Sequence, residues 1–184
     1  LKDFRQFRGR QTLQLSTDDK KKVTLIHAEN GVGKTTILNA VLWAMYEQTT
    51  TKFKNPTDLI NWGAKQDGET TAWVRVRFQF QKEEYQVTRT AKDGSKRTNL
   101  TVGKIDNGVE KALSEPEAFL GSVVPESMAK YFFFDGENAE AFGSRVNKRK
   151  VTNAVRAMLG FDQATDAQKD LKYVEDEFRK ALKT

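Results

Sequence analysis

The clearest chemical signal in the sequence is a glycine-rich segment at residues 28–36, which reads A-E-N-G-V-G-K-T-T. It lies between a short apolar run and an amphipathic stretch, so the sequence predicts a strand, a loop and a helix in that order. Gly31 and Gly33 let the backbone turn with its N–H groups pointing inward, and Lys34 adds a full positive charge where the helix dipole is already positive. This combination predicts a loop that binds phosphate groups.

The spacing within the segment favours a nucleoside triphosphate as the ligand. Thr35 follows the lysine, and a hydroxyl at this position coordinates the Mg²⁺ that bridges the terminal phosphates in phosphoryl-transfer loops. Ala28 stands where the common pattern has glycine, a change that the loop tolerates if this residue has a negative φ. The alternative interpretation is an ordinary glycine turn between a strand and a helix, with no ligand.

Composition narrows the class of protein. The chain of 184 residues has no cysteine, which excludes disulfides and thiolate metal sites, and its single histidine, His27, cannot build a zinc site alone. No run approaches the roughly 20 apolar residues of a membrane span, so we expect a cytoplasmic protein without a membrane partner. The net charge of +6 favours a polyanionic partner, although an ordinary solvated surface explains the same excess.

Several elements are expected to frame the glycine loop. Alternating apolar and polar residues from Leu1 to Ser16, interrupted at Gly9-Arg10, predict a hairpin of two short strands. The run Val23–Ala28 predicts a buried strand that leads into the loop. Apolar residues at helical spacing predict an amphipathic helix from Lys34 to about Gln48, and a short helical turn is expected near Thr57–Asn61.

The middle of the chain predicts an antiparallel sheet with one exposed face. Apolar residues alternate strictly with polar ones from Ala72 to Phe80, and the alternation resumes after Glu83-Glu84, from Tyr85 to Arg89. A third strand is predicted at Thr98–Val102. Together these strands form a predicted β insert over residues of about 70–105.

The next region predicts short helices and one further strand. Pro116–Leu120 and Pro125–Lys130 each begin with proline, which a helix tolerates in its first turn. Tyr131–Phe134 predicts a buried strand that ends at the acidic turn Asp135-Gly136-Glu137. In open α/β sheets ligands bind at the carboxyl ends of strands, so this turn is a candidate for the site. An ordinary surface turn explains the same residues equally well.

The end of the chain predicts helices. One is expected after Gly143 and stops at Gly160, and a second carries apolar residues that step alternately by three and four. These residues are Ala164, Ala167, Leu171, Val174, Phe178 and Ala181. The pattern is a heptad seam, which predicts the start of a coiled coil, and the alternative is a single amphipathic helix packed on the domain.

The order of these features resembles the amino-terminal lobe of an SMC-like ABC ATPase head. The resemblance is carried by the opening L-K-D-F-R-Q-F, the glycine loop, the β insert, the motif F-F-F-D-G-E and the heptad helix. Within this group Lys130–Glu137 looks most like the DndD-type ATPases of DNA phosphorothioation and phage defence. The resemblance implies an α/β fold with a P-loop NTPase lobe over residues 1–160 and the start of a coiled-coil helix over residues 161–184.

The resemblance also implies roles for individual residues. Arg5 matches an arginine that reaches the nucleotide, and Asp135 falls at the Q-loop, where many relatives have a glutamine that contacts Mg²⁺ and the attacking water. Aspartate here would coordinate Mg²⁺ through its charge or hold a water bound to the metal. The candidate metal ligands are therefore Thr35 and Asp135, and the candidate catalytic residues are Lys34 and Asp135. The implied nucleotide-binding set is Arg5, Glu29, Asn30, Gly31, Val32, Gly33, Lys34, Thr35, Thr36, Ile60, Asn61 and Trp62.

Two parts of a complete ABC head are not found in the sequence. There is no signature loop of the S-G-G type, and no strand of four apolar residues ends in Asp-Glu. The resemblance therefore implies a lobe that holds ATP and Mg²⁺, whereas hydrolysis requires a carboxyl-terminal lobe and the pairing of two heads. We expect very slow turnover by this chain alone.

DNA is the expected partner, from the resemblance and from the basic surplus. Candidate phosphate contacts are Arg75 and Arg77 on the polar face of the insert, together with Lys148, Arg149 and Lys150. A solvated strand face explains these residues equally well. The other expected partners are the protein's own carboxyl-terminal lobe, a second head in a homodimer, and subunits of a nuclease or a modification system.

Two other functions remain open at this point. One is another P-loop class, either a GTPase or a small-molecule kinase. A GTPase should carry an N/T-K-x-D motif that reads guanine, and the sequence has none. A small-molecule kinase should have a lid rich in arginine, and the β insert is not an obvious one. A non-catalytic scaffold would work through the seam formed by Leu171, Val174 and Phe178, but the intact triplet Gly33-Lys34-Thr35 argues against a decayed loop.

Overall fold

The computed structural model describes residues 1–50, 58–126, 129, 132–133 and 161–181. The chain divides into two compact units, Leu1–Ala129 and Lys130–Thr184. The first unit holds the sheet and the glycine loop, and the second holds a long helix.

The first unit is built on a six-stranded antiparallel sheet. Its strand order is β2-β1-β3-β4-β5-β6, so a hairpin from the start of the chain joins a meander from its middle. The long strands β3 and β4 pair over ten residues each, from Thr71↔Lys92 to Phe80↔Glu83, which confirms the hairpin predicted from strict alternation. The strands are β1 (Lys2–Phe4), β2 (Phe7–Arg10), β3 (Thr71–Phe80), β4 (Glu83–Lys92), β5 (Asn99–Asp106) and β6 (Val109–Ala112).

Three helices whose bounds the structure describes accompany the sheet. The first, α1 (Lys34–Tyr46), begins directly after Gly33, which confirms the helix predicted to follow the loop. The short α2 (Trp62–Gln66) is capped by the Asn61 side chain, which accepts a hydrogen bond from the Ala64 N–H. The helix α3 (Pro116–Val123) starts with proline at its first turn, as predicted, and ends three residues beyond the predicted Leu120.

The core lies between the helices and one face of the sheet. On α1 the residues Leu42, Trp43 and Ala44 are buried, and the helix contacts β3 and β4. The Trp43 ring lies 5.3 Å from the ring of Phe4 on β1, and Phe4 is fully buried. Because a buried aromatic or aliphatic side chain contributes roughly 2 kcal/mol through the hydrophobic effect, these contacts hold α1 against the sheet.

Two predictions for the first 28 residues are wrong in detail. The first hairpin turns at Arg5–Gln6, where Phe4 pairs with Phe7, rather than at Gly9-Arg10. The run Val23–Ala28 is not a strand, and Val23 and Leu25 are 84% and 87% exposed. The physical reason is that a strand needs a neighbour for its backbone hydrogen bonds, and no described strand pairs with this run.

Smaller differences occur in the sheet region. The β3–β4 turn uses Gln81 and Lys82, which both have positive φ, rather than Glu83-Glu84. The strand predicted at Thr98–Val102 extends to Asp106 and pairs with β6, which has no strong alternation to reveal it. The helical turn was expected near Thr57–Asn61, whereas α2 begins at Trp62, directly after that range.

The second unit contains α4 (Phe161–Ala181), a helix of 21 residues. Three of its apolar side chains, Leu171, Val174 and Phe178, are exposed within the part of the unit that the structure describes. The buried strand predicted at Tyr131–Phe134 is wrong where it can be tested, because Phe132 is helical and about half exposed. An apolar run by itself does not distinguish a strand from a helix.

Several predicted features lie outside the described residues. These are the acidic turn Asp135-Gly136-Glu137, the helix after Gly143, the basic group at 148–150 and half of the helix predicted at Pro125–Lys130, namely residues 127, 128 and 130. Among the residues that are described, no helix is long and apolar enough to cross a membrane.

Candidate nucleotide site at the glycine loop

The backbone of the glycine loop requires its glycines. Gly31 and Gly33 have backbone φ angles of 86° and 121°, values that residues with a Cβ atom rarely adopt. The first helical hydrogen bond of α1 runs from the Ile37 N–H to the Gly33 carbonyl, at 3.0 Å. The helix therefore starts at the loop itself, and its free N–H groups and positive dipole end face the same region.

Lys34 folds back over the loop. Its ammonium donates hydrogen bonds to the carbonyls of Ala28 and Glu29, at 2.6 and 2.7 Å. The side chain is exposed, so the ammonium is accessible to an anion from solvent. A phosphate group would compete for this charge, because charge-assisted hydrogen bonds are stronger than bonds to neutral carbonyls.

The turn between β1 and β2 covers one side of the loop. A Cβ placed on Gly33 would lie 2.7 Å from Cζ of Phe7 and 3.0 Å from Nε2 of Gln6. The Thr36 hydroxyl donates to Oε1 of Gln6 at 2.8 Å. Gln6 and Phe7 were not among the predicted site residues, and their only signal in the sequence is that they directly follow Arg5.

The predicted residues Arg5, Ile60 and Asn61 come together around this turn. Arg5 has a φ of 54°, its N–H donates to Leu59 at 2.7 Å, and its guanidinium donates to the carbonyl of Asp58 at 3.0 Å. Asn61 donates to the Arg5 carbonyl at 2.5 Å. Ile60 and Asn61 are buried, so they support the turn from behind rather than facing solvent.

Trp62 differs from its two neighbours. Its side chain is 73% exposed at the start of α2, where a ligand could reach it. Ile60, Asn61 and Trp62 thus lie next to one another, but the first two are buried and the third is exposed. Only Trp62 offers an open surface.

A buried asparagine fixes the first turns of α1. The Asn39 side chain is fully buried, donates to the Thr35 carbonyl at 2.8 Å and accepts from the Thr50 N–H at 2.6 Å. These bonds tie the start of α1 to the chain that follows it, and the Thr35 side chain stays exposed at the mouth of the loop. Asn39 was not among the predicted residues, because a polar residue in an amphipathic helix gives no signal of burial.

The chemistry of the described groups fits a magnesium nucleotide better than a bare metal ion. No cluster of three or more metal-ligating side chains occurs among the described residues. Thr35 can supply one hydroxyl, and Mg²⁺ in phosphate sites takes most of its other ligands from phosphate oxygens and water. The remaining predicted loop residues, Glu29, Asn30 and Val32, are exposed along the rim, whereas Asp135 lies outside the described residues.

Comparison with known proteins agrees with the geometry of the loop. A family model described as an AAA domain (AAA_23) matches residues 1–184, which is the whole chain. No curated protein matches the chain. The chain therefore belongs to this AAA domain family, a family of P-loop ATPases found in SMC-like proteins.

Proposed function

We propose that this chain is the ATP-binding lobe of an SMC-like ATPase head of the ABC type. The observation that carries the proposal is the set of contacts at the loop, where Lys34 lies over the loop carbonyls and the β1–β2 turn packs on Gly33. Lys34 and the loop N–H groups would bind the phosphates, and Arg5 would contact the nucleotide from the turn. Bound Mg²⁺ would neutralise phosphate charge, with Thr35 and Asp135 as its protein ligands.

ATP hydrolysis in this proposal requires a carboxyl-terminal lobe and a second head. The exposure of Val23 and Leu25 supports this requirement, because exposed apolar side chains are suited to burial against a further part of the protein. The partner head would supply the signature loop, which the sequence does not contain. The full protein is then an ATPase, whereas this lobe alone turns over very slowly.

The exposed seam of α4 supports a coiled coil in the same protein. Leu171, Val174 and Phe178 are spaced by three and four residues and are all exposed within the described part of the second unit. A partner helix would bury them. The same seam is the observation behind the alternative function, a non-catalytic scaffold.

DNA is the proposed partner of the assembled head, and the outer face of the sheet is a candidate contact. Arg75 lies over the Trp73 ring, with its Cζ 5.2 Å from the ring centroid, and is exposed. Arg77 on the same face donates to Gln86 at 2.9 Å and lies 3.8 Å from a carboxylate oxygen of Glu84. Arg75 donates from Nε to the Thr88 hydroxyl at 3.3 Å, which is a neutral acceptor, whereas Arg77 lies near a carboxylate. Arg75 is thus better placed than Arg77 to neutralise a phosphate. A DndD-type role with nuclease or modification subunits is the finer form of this proposal.

Calorimetric titration tests the proposal. ATP, ADP and GTP are titrated with and without Mg²⁺ into the 184-residue chain and into Thr35→Val. We expect selective binding of ATP, and Mg²⁺ should strengthen binding in the parent protein but not in Thr35→Val, because the variant lacks the hydroxyl. A preference for GTP would indicate another P-loop class. If no nucleotide binds and α4 nevertheless pairs with a partner helix, the non-catalytic scaffold is favoured.

A further inference from the structure

A buried arginine joins the β insert to the far end of α1. Arg89 lies on the inner face of β4, between the buried residues Val87 and Ala91, and is only 6% exposed. Its Nε donates to the Ala44 carbonyl at 3.1 Å. Its Nη1 donates to the Glu47 carboxylate at 3.2 Å and to the Thr98 hydroxyl at 3.0 Å. One guanidinium therefore contacts both the end of α1 and Thr98, the residue directly before β5.

The end of α1 needs a donor that the helix itself does not supply. The last carbonyls of a helix have no partner within the helix, and α1 has no basic residue in its last turn. The Glu47 N–H bonds to the Trp43 carbonyl, which leaves the Ala44 carbonyl for Arg89. The guanidinium also places a positive charge at the negative end of the helix dipole.

The interaction is directional and depends on correct placement of the helix. Burial lowers the pKa of Arg89, while the carboxylates of Glu47 and Glu117 oppose that shift. Thr98 completes the network by donating to the other Glu47 oxygen at 2.9 Å. Because a buried charge without its partners is unfavourable, displacement of α1 along or around its axis is penalised. The apolar contacts of α1 with the sheet resist such a displacement less, since the hydrophobic effect is not directional.

We propose that Arg89 is a positioning residue for the glycine loop, so that a strand of the β insert sets the affinity for nucleotide. The loop and the Ala44 carbonyl lie at opposite ends of the same helix of 13 residues, and the helix transmits its placement to the loop N–H groups. The inference rests on the proposed function. It adds that a residue of the insert controls the geometry of the loop from the other end of α1.

The test uses the whole chain and three variants. Arg89→Met removes the donor. Arg89→Lys keeps the charge but replaces the planar fork, in which Nε and Nη1 reach different acceptors, by a single nitrogen. Lys92→Met is the matched control. Lys92 lies on the same strand and is exposed. For each protein we measure the Tm, the Kd for ATP well below that Tm, and hydrogen–deuterium exchange of residues 33–40 without ligand.

We expect both Arg89 variants to bind ATP about tenfold more weakly and to exchange faster at residues 37–40 of α1, where the helical hydrogen bonds begin with Ile37. Lys92→Met should be unchanged in both measurements. If Arg89→Met does not fold, Arg89→Lys decides the result. A lower Tm with an unchanged Kd would mean that Arg89 only stabilises the fold, and would overturn the inference. If the parent protein binds no nucleotide, the proposed function fails, and unchanged exchange in residues 33–40 would then overturn the inference separately.

Discussion

The two segments that flank the glycine loop differ in how the molecule supports them. On the carboxyl side, α1 packs on β3 and β4 and buries Leu42 and Trp43. On the amino side, Val23 and Leu25 are as apolar as those residues but remain exposed on irregular backbone. The difference shows that an apolar run becomes a strand only when a neighbour satisfies its backbone, whereas a helix satisfies its own.

The largest expected effect on stability comes from adding a Cβ atom to Gly33. Gly33→Ala combines backbone strain at a φ of 121° with a clash against Phe7 and Gln6, and we expect a loss of about 4 kcal/mol in the free energy of unfolding. Gly31→Ala is the control, because nothing lies within 4 Å of its added Cβ. Urea denaturation measures both, and equal losses would mean that the hairpin turn does not pack on the loop.

A pair of leucine substitutions tests the comparison of the two flanks directly. Leu42 on α1 is 5% exposed and Leu25 is 87% exposed. Leu42→Ala should cost about 3 kcal/mol through the cavity it leaves, and Leu25→Ala should stay within about 0.5 kcal/mol of the parent. Thermal or urea unfolding measures both. A large loss in Leu25→Ala would show that the amino-side segment is buried in the protein in solution.

A smaller effect is expected where the loop is supported from behind. Asn61→Ala removes the cap of α2 and the hydrogen bond to the Arg5 carbonyl, at a cost of about 1–2 kcal/mol. Arg5 should then be less well held, so ATP affinity should fall several-fold. Calorimetry and denaturation on the same sample distinguish the two effects. Unchanged affinity would remove Asn61 from the site.

The smallest expected effect is on how the free energy of unfolding depends on alkaline pH, through Tyr46 at the end of α1. Burial and, to a lesser degree, the charge of Glu126 raise the pKa of Tyr46 to about 12. Because the unfolded chain ionises its tyrosine near pH 10, the folded state loses stability as pH rises from about 10 to 12. Tyr46→Phe should weaken this dependence in a series of alkaline denaturation curves. Identical slopes for the two proteins would contradict it.

Local patterns predicted the parts of the fold that depend on neighbouring residues in the chain. The alternation in β3 and β4 and the helical spacing in α1 were sufficient, because each pattern reports directly which face is buried. The features that sequence analysis missed depend on contacts between distant segments. Gln6 reaches Thr36, and Arg89 reaches Ala44, only after the sheet has formed. The isolated apolar run at Val23–Ala28 was misinterpreted for the same reason.

The site was predicted unevenly, again for physical reasons. The loop residues Gly31–Thr36 were predicted from a short motif, because the backbone conformation and the charge of the loop are determined by these residues themselves. The role of Asn61 as a support for Arg5 could not be seen, because the two residues are linked across the fold. Which of these residues contact nucleotide stays a prediction until binding is measured.

The most direct test of the account is the calorimetric titration of ATP with Mg²⁺ into the parent chain and into Lys34→Ala. Lys96→Ala, at an exposed turn, is the control for loss of one positive charge. We expect ATP binding to be unchanged in Lys96→Ala and weaker by about 100-fold in Lys34→Ala, with the Tm of the unliganded protein nearly unchanged. Equal ATP affinity in Lys34→Ala and the parent, or no binding by the parent, would show that the glycine loop does not bind ATP through Lys34.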